Sequence, residues 1–515
     1  MGTTGMKMGC CGARSAELFY QGGAMKVVFI TPASDLRRNF FYRIGHLIYE
    51  SANSIPGPLI LGKILCDAGH EVAVYEELYA HLDFNLFDDA DVIGISTMTA
   101  TAPRAYTIAD YFRAKGKRVI MGGLHASALP RESLKHCDQV VVGEAESVIT
   151  DVIEGTISDP IVHAPKINNI DTIPFPDYSL IKTPVKTINI TTSRGCPFQC
   201  EFCTSSRFFN PYRERTPDNV IAGLLRYRHQ GYRNINFQDN NFTANKKRAK
   251  EILRKMVAHN LIYKNGFFFG RTDIANDEEL LVLLKEAGFS IVLVGIESLN
   301  QKSLDSINKK QSVEQIERCV KKLAKYNMKL SASLVLGTDC DTTEDIHQTV
   351  NYCRKTHAYS LQPPPLTPLP GTPLFDRLEK EKRIITKNWD YYDMMHVVFH
   401  PKNMSPVQLQ KEFFTALHRF YTFTSSLSML KIFGPMAAIK RIGMALIIRA
   451  CILCTRVKER SFYRMLRTYS KASPDAPEAG DGKQAEPVQV LIGPVQNRKH
   501  KHTVRKADRV KRVQR

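Results

Sequence analysis

Short runs of Val, Ile and Leu recur along the chain from residue 26 and alternate with longer stretches whose apolar positions return every three or four residues. The first are Met25-Lys-Val-Val-Phe-Ile-Thr-Pro, Glu71-Val-Ala-Val-Tyr, Asp91-Val-Ile-Gly-Ile-Ser, Arg118-Val-Ile-Met-Gly-Gly and Gln139-Val-Val-Val-Gly, with helical stretches such as Pro58 to Ala68 between them. Unbroken β-branched runs separated by helices predict a parallel sheet covered on both faces. Residues 25–155 therefore read as a doubly wound, Rossmann-like α/β domain. Ligands of such sheets gather at the carboxyl ends of the strands, which makes Ser96, Thr97, Gly122, Gly123, His125 and Gly143 candidate binding residues. His125 reads equally well as a polar turn residue.

Residues 156–184, with scattered Pro and Asp including Ile173-Pro-Phe-Pro-Asp, read as a linker. A second β/α series follows over 185–385, with strands expected at Thr187 to Ile190, Asn234 to Phe237, Gly266 to Phe269, Ile291 to Gly295, Lys329 to Leu336 and Ala358 to Leu361. Residues 386–470 are aromatic and helical. Ile442 to Cys454, flanked by Lys440, Arg441 and Arg456, is too short and too charged to span a bilayer, which needs about 20 apolar residues. It predicts an amphipathic helix lying on a membrane or packed on the preceding domain. Cys451 and Cys454 in it read as helical apolar positions. Residues 1–24 form an extension, with Met25 a candidate start, and 471–515 a disordered basic tail.

A length of 515 residues implies two or three domains. Twelve cysteines without regular spacing outside one cluster, and no cleavable leader, point to a reducing, cytoplasmic setting. The net charge of +20 raises nucleic acid or an anionic membrane as partners. Residues 498–515 hold nine Lys or Arg against Asp508 with no interleaved aromatics, so a specific nucleic-acid site is not expected.

The densest chemistry lies in Thr192-Ser-Arg-Gly-Cys196-Pro-Phe-Gln-Cys200-Glu-Phe-Cys203, directly after a predicted strand. Three thiolates on one tight loop can hold three irons of a cubane and leave the fourth open. Zinc would call for a fourth ligand, and no second Cys-x-x-Cys stands nearby.

This segment resembles the radical S-adenosylmethionine (SAM) superfamily. Gly57-Pro-Leu-Ile-Leu-Gly, Gly69-His-Glu-Val, Gly122-Gly-Leu-His-Ala-Ser and Val142-Gly-Glu-Ala-Glu resemble the cobalamin-binding domain that often precedes a radical SAM domain. The resemblance spans residues 25 to 385. It implies a partial (β/α)6 barrel and a [4Fe-4S] cluster on Cys196, Cys200 and Cys203 that cleaves SAM to a 5′-deoxyadenosyl radical. It also implies contacts to SAM past the strand ends: Asp239 and Asn240 in Gln238-Asp-Asn-Asn-Phe, Arg271 and Asp273, Glu297 and Ser298, and Leu336-Gly-Thr-Asp339. Arg271 reads alternatively as a barrel-rim ion pair, and Asp339 as a helix N-cap. Leu366-Thr-Pro-Leu-Pro-Gly-Thr-Pro-Leu374 reads as a structural turn. The chain lacks Asp-x-His-x-x-Gly, so cobalamin is expected without that motif's histidine ligand.

The activity implied is cobalamin-dependent C-methylation of an unactivated carbon in a large hydrophobic substrate, as in bacteriochlorophyllide methyltransferases. Methylation of hopanoids or other isoprenoid lipids is the near alternative. Tetrapyrrole ring closure, carbon–carbon coupling and a non-enzymatic cobalamin-binding module are further ones. A methylthiotransferase would need three more cluster cysteines than Cys66 and Cys137 supply. Expected partners are an electron donor such as ferredoxin or flavodoxin and a membrane surface. Sensitivity to oxygen follows from an exposed cubane.

Overall fold

All five Val/Ile runs of the first domain form parallel strands: β1 (Lys26–Thr31), β2 (Glu71–Glu76), β3 (Val92–Ser96), β4 (Arg118–Gly122) and β5 (Gln139–Val142). The computed structural model describes residues 23–34, 55–79, 82–182, 185, 187–264 and 266–471, without the side chains of 454–458 and 471. The expectations for the extension before residue 23 and for the basic tail lie outside these residues.

The sheet order is β2-β1-β3-β4-β5-β6, where β6 (Ile161–His163) lies in the expected linker. Ile161 and Val162 pair with Val140 and Val141 and close what would be an open edge beside β5. Ile170 and Ile173 pack on Ile60, and Ile181 bridges to Val74. Residues 156–182 are thus an integral edge of the domain. Their strand escaped the sequence pattern because it is three residues long. Val27, Ile30, Val74, Ile93 and Val119 are fully enclosed, each burial contributing about 1.5–3 kcal/mol. Between β1 and β3 the strand order reverses, so a crevice opens at their carboxyl ends.

The second series forms β7 (Thr187–Ile190), β8 (Asn234–Phe237), β9 (Gly266–Gly270), β10 (Phe289–Glu297), β11 (Lys329–Leu334) and β12 (Ser360–Gln362). They pair in parallel in sequential order, which is the open six-stranded arc of a partial barrel. β10 extends beyond its expected end, and its register with β11 shifts between Gly295 and Glu297. Gly288 enters β10 at φ +86°, where a Cβ would fall 1.8 Å from the Tyr263 carbonyl oxygen. No side chain fits there.

Amphipathic helices wrap the arc, and side-chain caps fix where they start. Thr216, Asn245, Asp277, Ser312 and Thr342 cap the helices Pro217–His229, Lys246–Ala258, Glu278–Glu286, Val313–Lys325 and Thr343–Lys355. Each cap contributes about 1 kcal/mol. The described residues end in helices Pro406–Phe420, Phe423–Phe433, Pro435–Lys458 and Arg460–Lys471. The apolar segment expected at 442–454 belongs to the third. It is anchored by buried Arg441, which donates to the carbonyls of Ala358 (2.8 Å) and Phe420 (3.2 Å) and lies over the Phe420 ring. No helix among the described residues is long and apolar enough to cross a membrane.

His396 is buried between Asp393 Oδ1 (3.0 Å from Nδ1) and Glu459 Oε2 (2.9 Å from Nε2), tying residues 389–396 to the final helices. Burial opposes its charge, but the two carboxylates outweigh burial and raise its pKa from 6.5 to about 10. A raised pKa stabilises fully below the unfolded value and is lost as pH rises through the folded one. The melting temperature should therefore fall between pH 7 and 10, and His396→Gln should lower it at pH 7 and flatten that fall. Scanning fluorimetry of both proteins checks this, and parallel pH profiles would refute it.

Candidate functional site

Past β7 the chain makes a tight turn at Gly195, whose φ of +81° and approach to the Phe209 carbonyl (2.5 Å from a would-be Cβ) exclude any side chain. Cys196, Cys200 and Cys203 follow on the loop leading into the short helix Thr204–Phe208, with Cys200 buried and the others half-buried. Burial raises the Cys196 thiol pKa, Cys203 and Cys200 add to the rise, and Arg271 opposes it. Among the described residues no three His, Cys, Asp or Glu side chains are gathered as for a single metal ion. A polynuclear cluster distributes its thiolates over separate irons, and three thiols on one loop suit that donor set.

Arg271 lies flat on Phe198, 3.8 Å from the ring centre, with Nη1 3.9 Å from Cys200 Sγ. Its Nη2 donates to the Lys309 and Lys310 carbonyls. It therefore acts as a clamp on the cysteine loop rather than as a rim ion pair, and it places positive charge beside the thiols. Asp273 is paired with Lys246 at 2.9 Å.

Asp239 is fully buried and accepts from Thr192 N (2.5 Å), Thr192 Oγ1 (2.5 Å) and Ser193 Oγ (2.9 Å). Burial raises its pKa, while Arg248 and these donors work against the rise. It is committed to holding the strand end before the cysteines, so it is a positioning residue, whereas its neighbour Asn240 lines the cavity described below. Glu297 sits at φ +63° and pairs with Lys309 through Oε1. Its Oε2 is buried with no partner, an acceptor suited to a ligand hydroxyl. Ser298 accepts from Asn300 N and lies 3.4 Å from Asp341.

Asp339 does not cap a helix. It joins Arg377 (2.8 Å) and Arg383 (2.6 Å), which hold its carboxyl down at about 2 despite burial. Thr342 takes the capping role, and Asp341 accepts from Gly337 N and Thr338 N. Spacing alone did not separate these two aspartates. Thr372 caps Pro373–Lys380, in keeping with a structural turn over 366–374.

A cavity of about 1330 Å³ runs from the carboxyl ends of β3, β4 and β5 into the barrel. Ser96, Thr97, Gly122, Gly123 and Gly143 line it on one side, and Asn189, Asn236, Phe267, Phe269 and Leu293 on the other. Gly123 stands at φ +92°, where a Cβ would come within 2.7 Å of the Thr97 carbonyl oxygen, so this wall is bare backbone. Such a wall admits a flat, bulky cofactor close to the main chain. Thr97 Oγ1 donates to the Gly122 carbonyl and accepts from Ala126 N, which fixes the same wall. His125 does not join it. The ring is buried 3.0 Å from Tyr106 Oη and edge-on to Trp389, while Glu132 accepts from Tyr106 and from Trp389 Nε1. Polar neighbours and a carboxyl-terminal aromatic capture it instead. Among the described residues no histidine lines the cavity.

Glu144 and Glu146, at the end of Val142-Gly-Glu-Ala-Glu, reach across to the cysteine segment. Glu144 Oε1 accepts from Arg194 Nη1 (3.0 Å) and Arg213 Nη2 (2.9 Å), and Glu146 accepts from Arg194 Nη2 (2.5 Å). Both arginines are buried. The sequence displays both glutamates but not their partners, about fifty residues away. Cys451 lines the cavity from the helix Pro435–Lys458, while the Cys454 side chain lies outside the described residues.

Residues 57–153 match the B12 binding domain model and residues 190–353 the radical SAM superfamily model. The chain is 28% identical over 386 residues to bacteriochlorophyllide d C-8(2)-methyltransferase of Chlorobaculum tepidum, covering 69% of this chain and 82% of that one. The C-12(1)-methyltransferase of the same organism is 27% identical over 394 residues, covering 73% and 84%. Among solved structures, the radical SAM methyltransferase TsrM of Kitasatospora setae, with cobalamin and a [4Fe-4S] cluster bound, superposes with a TM-score of 0.63 at 15% identity. It covers 84% of this chain and 100% of that one.

Glu144→Ala should leave two buried guanidiniums short of a counter-charge, at a cost of about 3–5 kcal/mol. Glu146→Ala should cost less, because Arg194 keeps Glu144. Urea unfolding of the two variants measures the difference, and equal midpoints would contradict the assigned geometry.

Proposed function

We propose that this chain, a radical SAM enzyme with an amino-terminal B12 binding domain, is a C-methyltransferase acting on a peripheral alkyl carbon of a bacteriochlorophyllide. One observation carries the reading: a single continuous cavity has the strand ends of the first domain on one side and the barrel interior on the other. When bound, the cluster with SAM supplies a carbon radical and cobalamin a methyl group, a pairing needed because an unactivated carbon is not a nucleophile.

Cys196, Cys200 and Cys203 would hold the cluster, with Arg271 clamping their loop. Glu297 Oε2 would accept from the SAM ribose, with Ser298 next to it at the end of β10 and Asn240 past the end of β8. Ser96, Thr97, Gly122, Gly123 and Gly143 would meet cobalamin through backbone and hydroxyl groups. Phe267, Phe269 and Leu293 give the barrel side apolar walls that exclude water and suit a hydrophobic macrocycle. The same side carries Asn189 and Asn236, and Asn236 Nδ2 donates to Asn189 Oδ1 at 3.1 Å, leaving a polar strip able to orient one edge of a substrate. A one-electron donor of the ferredoxin or flavodoxin type and a cytoplasmic position at the edge of a membrane complete the reading.

Cys200→Ala should abolish the visible absorption of the cluster and reduce 5′-deoxyadenosine release from SAM to background in anaerobic protein; retained SAM cleavage would overturn the site assignment. Mass spectrometry of pigments and lipids from a strain lacking the gene tests the substrate. The expected result is one CH₂ fewer in the bacteriochlorophyll fraction. The same loss in hopanoids would replace the substrate, and unchanged profiles would remove both.

A further inference from the structure

The helix Pro435–Lys458 is apolar on two opposite faces. Lys440, Met444, Ile447, Ile448 and Cys451, spaced as one helical stripe, line the cavity. Ile439, Leu446 and Leu453, spaced every seven residues on the other side, are 60–64% exposed. A helix with two apolar faces belongs where both are covered. The preceding helix Phe423–Phe433, joined to it at Gly434, shows a second such stripe in exposed Phe423, Leu427 and Leu430. Isolated exposed apolar residues are ordinary, but two stripes on one packed helix pair make a patch that calls for a partner.

Charge identifies the partner. From residue 423 to 471 the sequence carries ten Lys or Arg against one acid, Glu459, and that acid is engaged by His396. Lys431, Lys440, Arg449, Arg464 and Arg467 are exposed. Apolar stripes edged by cations, on helices too polar to cross a membrane, match the surface of an anionic bilayer.

We infer that the helix pair Phe423–Lys458 docks on anionic lipid, so that one helix forms both the membrane-seated face and a wall of the substrate cavity. This rests on the reading of the substrate as a hydrophobic molecule and extends it. A lipid-soluble substrate would then pass from the bilayer beside this wall without crossing water.

The test uses the full-length protein, floated with vesicles of phosphatidylcholine containing phosphatidylglycerol or of phosphatidylcholine alone. Binding is expected only to the anionic vesicles and should weaken as salt is raised. The triple variant Ile439→Glu, Leu446→Glu, Leu453→Glu should bind at least about tenfold less, while far-UV dichroism and 5′-deoxyadenosine release stay unchanged. These side chains lie outside the cavity lining, so SAM cleavage reports that the variant is folded. Undiminished binding by the folded variant would assign lipid attraction to the basic tail and overturn the inference. So would a wild-type dimer that the variant dissolves, because the patch would then belong to a second copy. Loss of SAM cleavage in the triple variant would also overturn it, since the outer face would then be part of the enzyme's interior. Vesicle binding needs no pigment, so a failed substrate assignment leaves this result standing.

Discussion

Burying a charge costs several kcal/mol unless a partner is fixed beside it, and that rule governs how the two halves of this molecule meet. Glu144 leaves the last interior strand of the first domain and ends between Arg194 and Arg213, which flank the cysteine loop. None of the three can move into the interior alone, so the pairing makes the orientation of the loop conditional on the folded first domain. Asp239 applies the same logic from the barrel side, gripping Thr192 and Ser193 four and three residues before Cys196. The loop is thus held by ionic and hydrogen-bonding anchors at its root, while its thiols stay out of those networks and remain available as ligands.

The cavity between the halves divides the chemistry by surface type. Its first-domain wall sets glycine backbone and small hydroxyls, with no room for a Cβ at Gly123, among apolar side chains such as Phe29, Ile95 and Met121. The barrel wall is aromatic and amide. The first wall lets a flat group approach the main chain, and the second offers apolar faces.

The architecture was legible because parallel strands buried on both faces are written as unbroken Val/Ile runs, here spaced regularly between helical stretches. Strand ends located Ser96, Thr97, Gly122, Gly123, Gly143 and Asn240 on the cavity. Side-chain commitments were not legible. Asp239, His125 and Asp339 occupy positions where ligand contacts were expected, but Thr192, Tyr106 and Arg383 claim them, and those partners are remote in sequence. Arg271 bonds to backbone carbonyls and a sulfur, a combination no local pattern announces. Ile161–His163 failed to register as a strand since edge pairing, not composition, makes it one.

The cavity lining runs from Phe29 to Ile452. A ribosome adds residues at about 5–20 per second, so the first wall exists for tens of seconds before the last helix can close the other side. A chain truncated before residue 435 would present an unroofed barrel, with Phe267, Phe269 and Tyr421 open to solvent, and quality control would meet it as a sticky half-product rather than a slow enzyme.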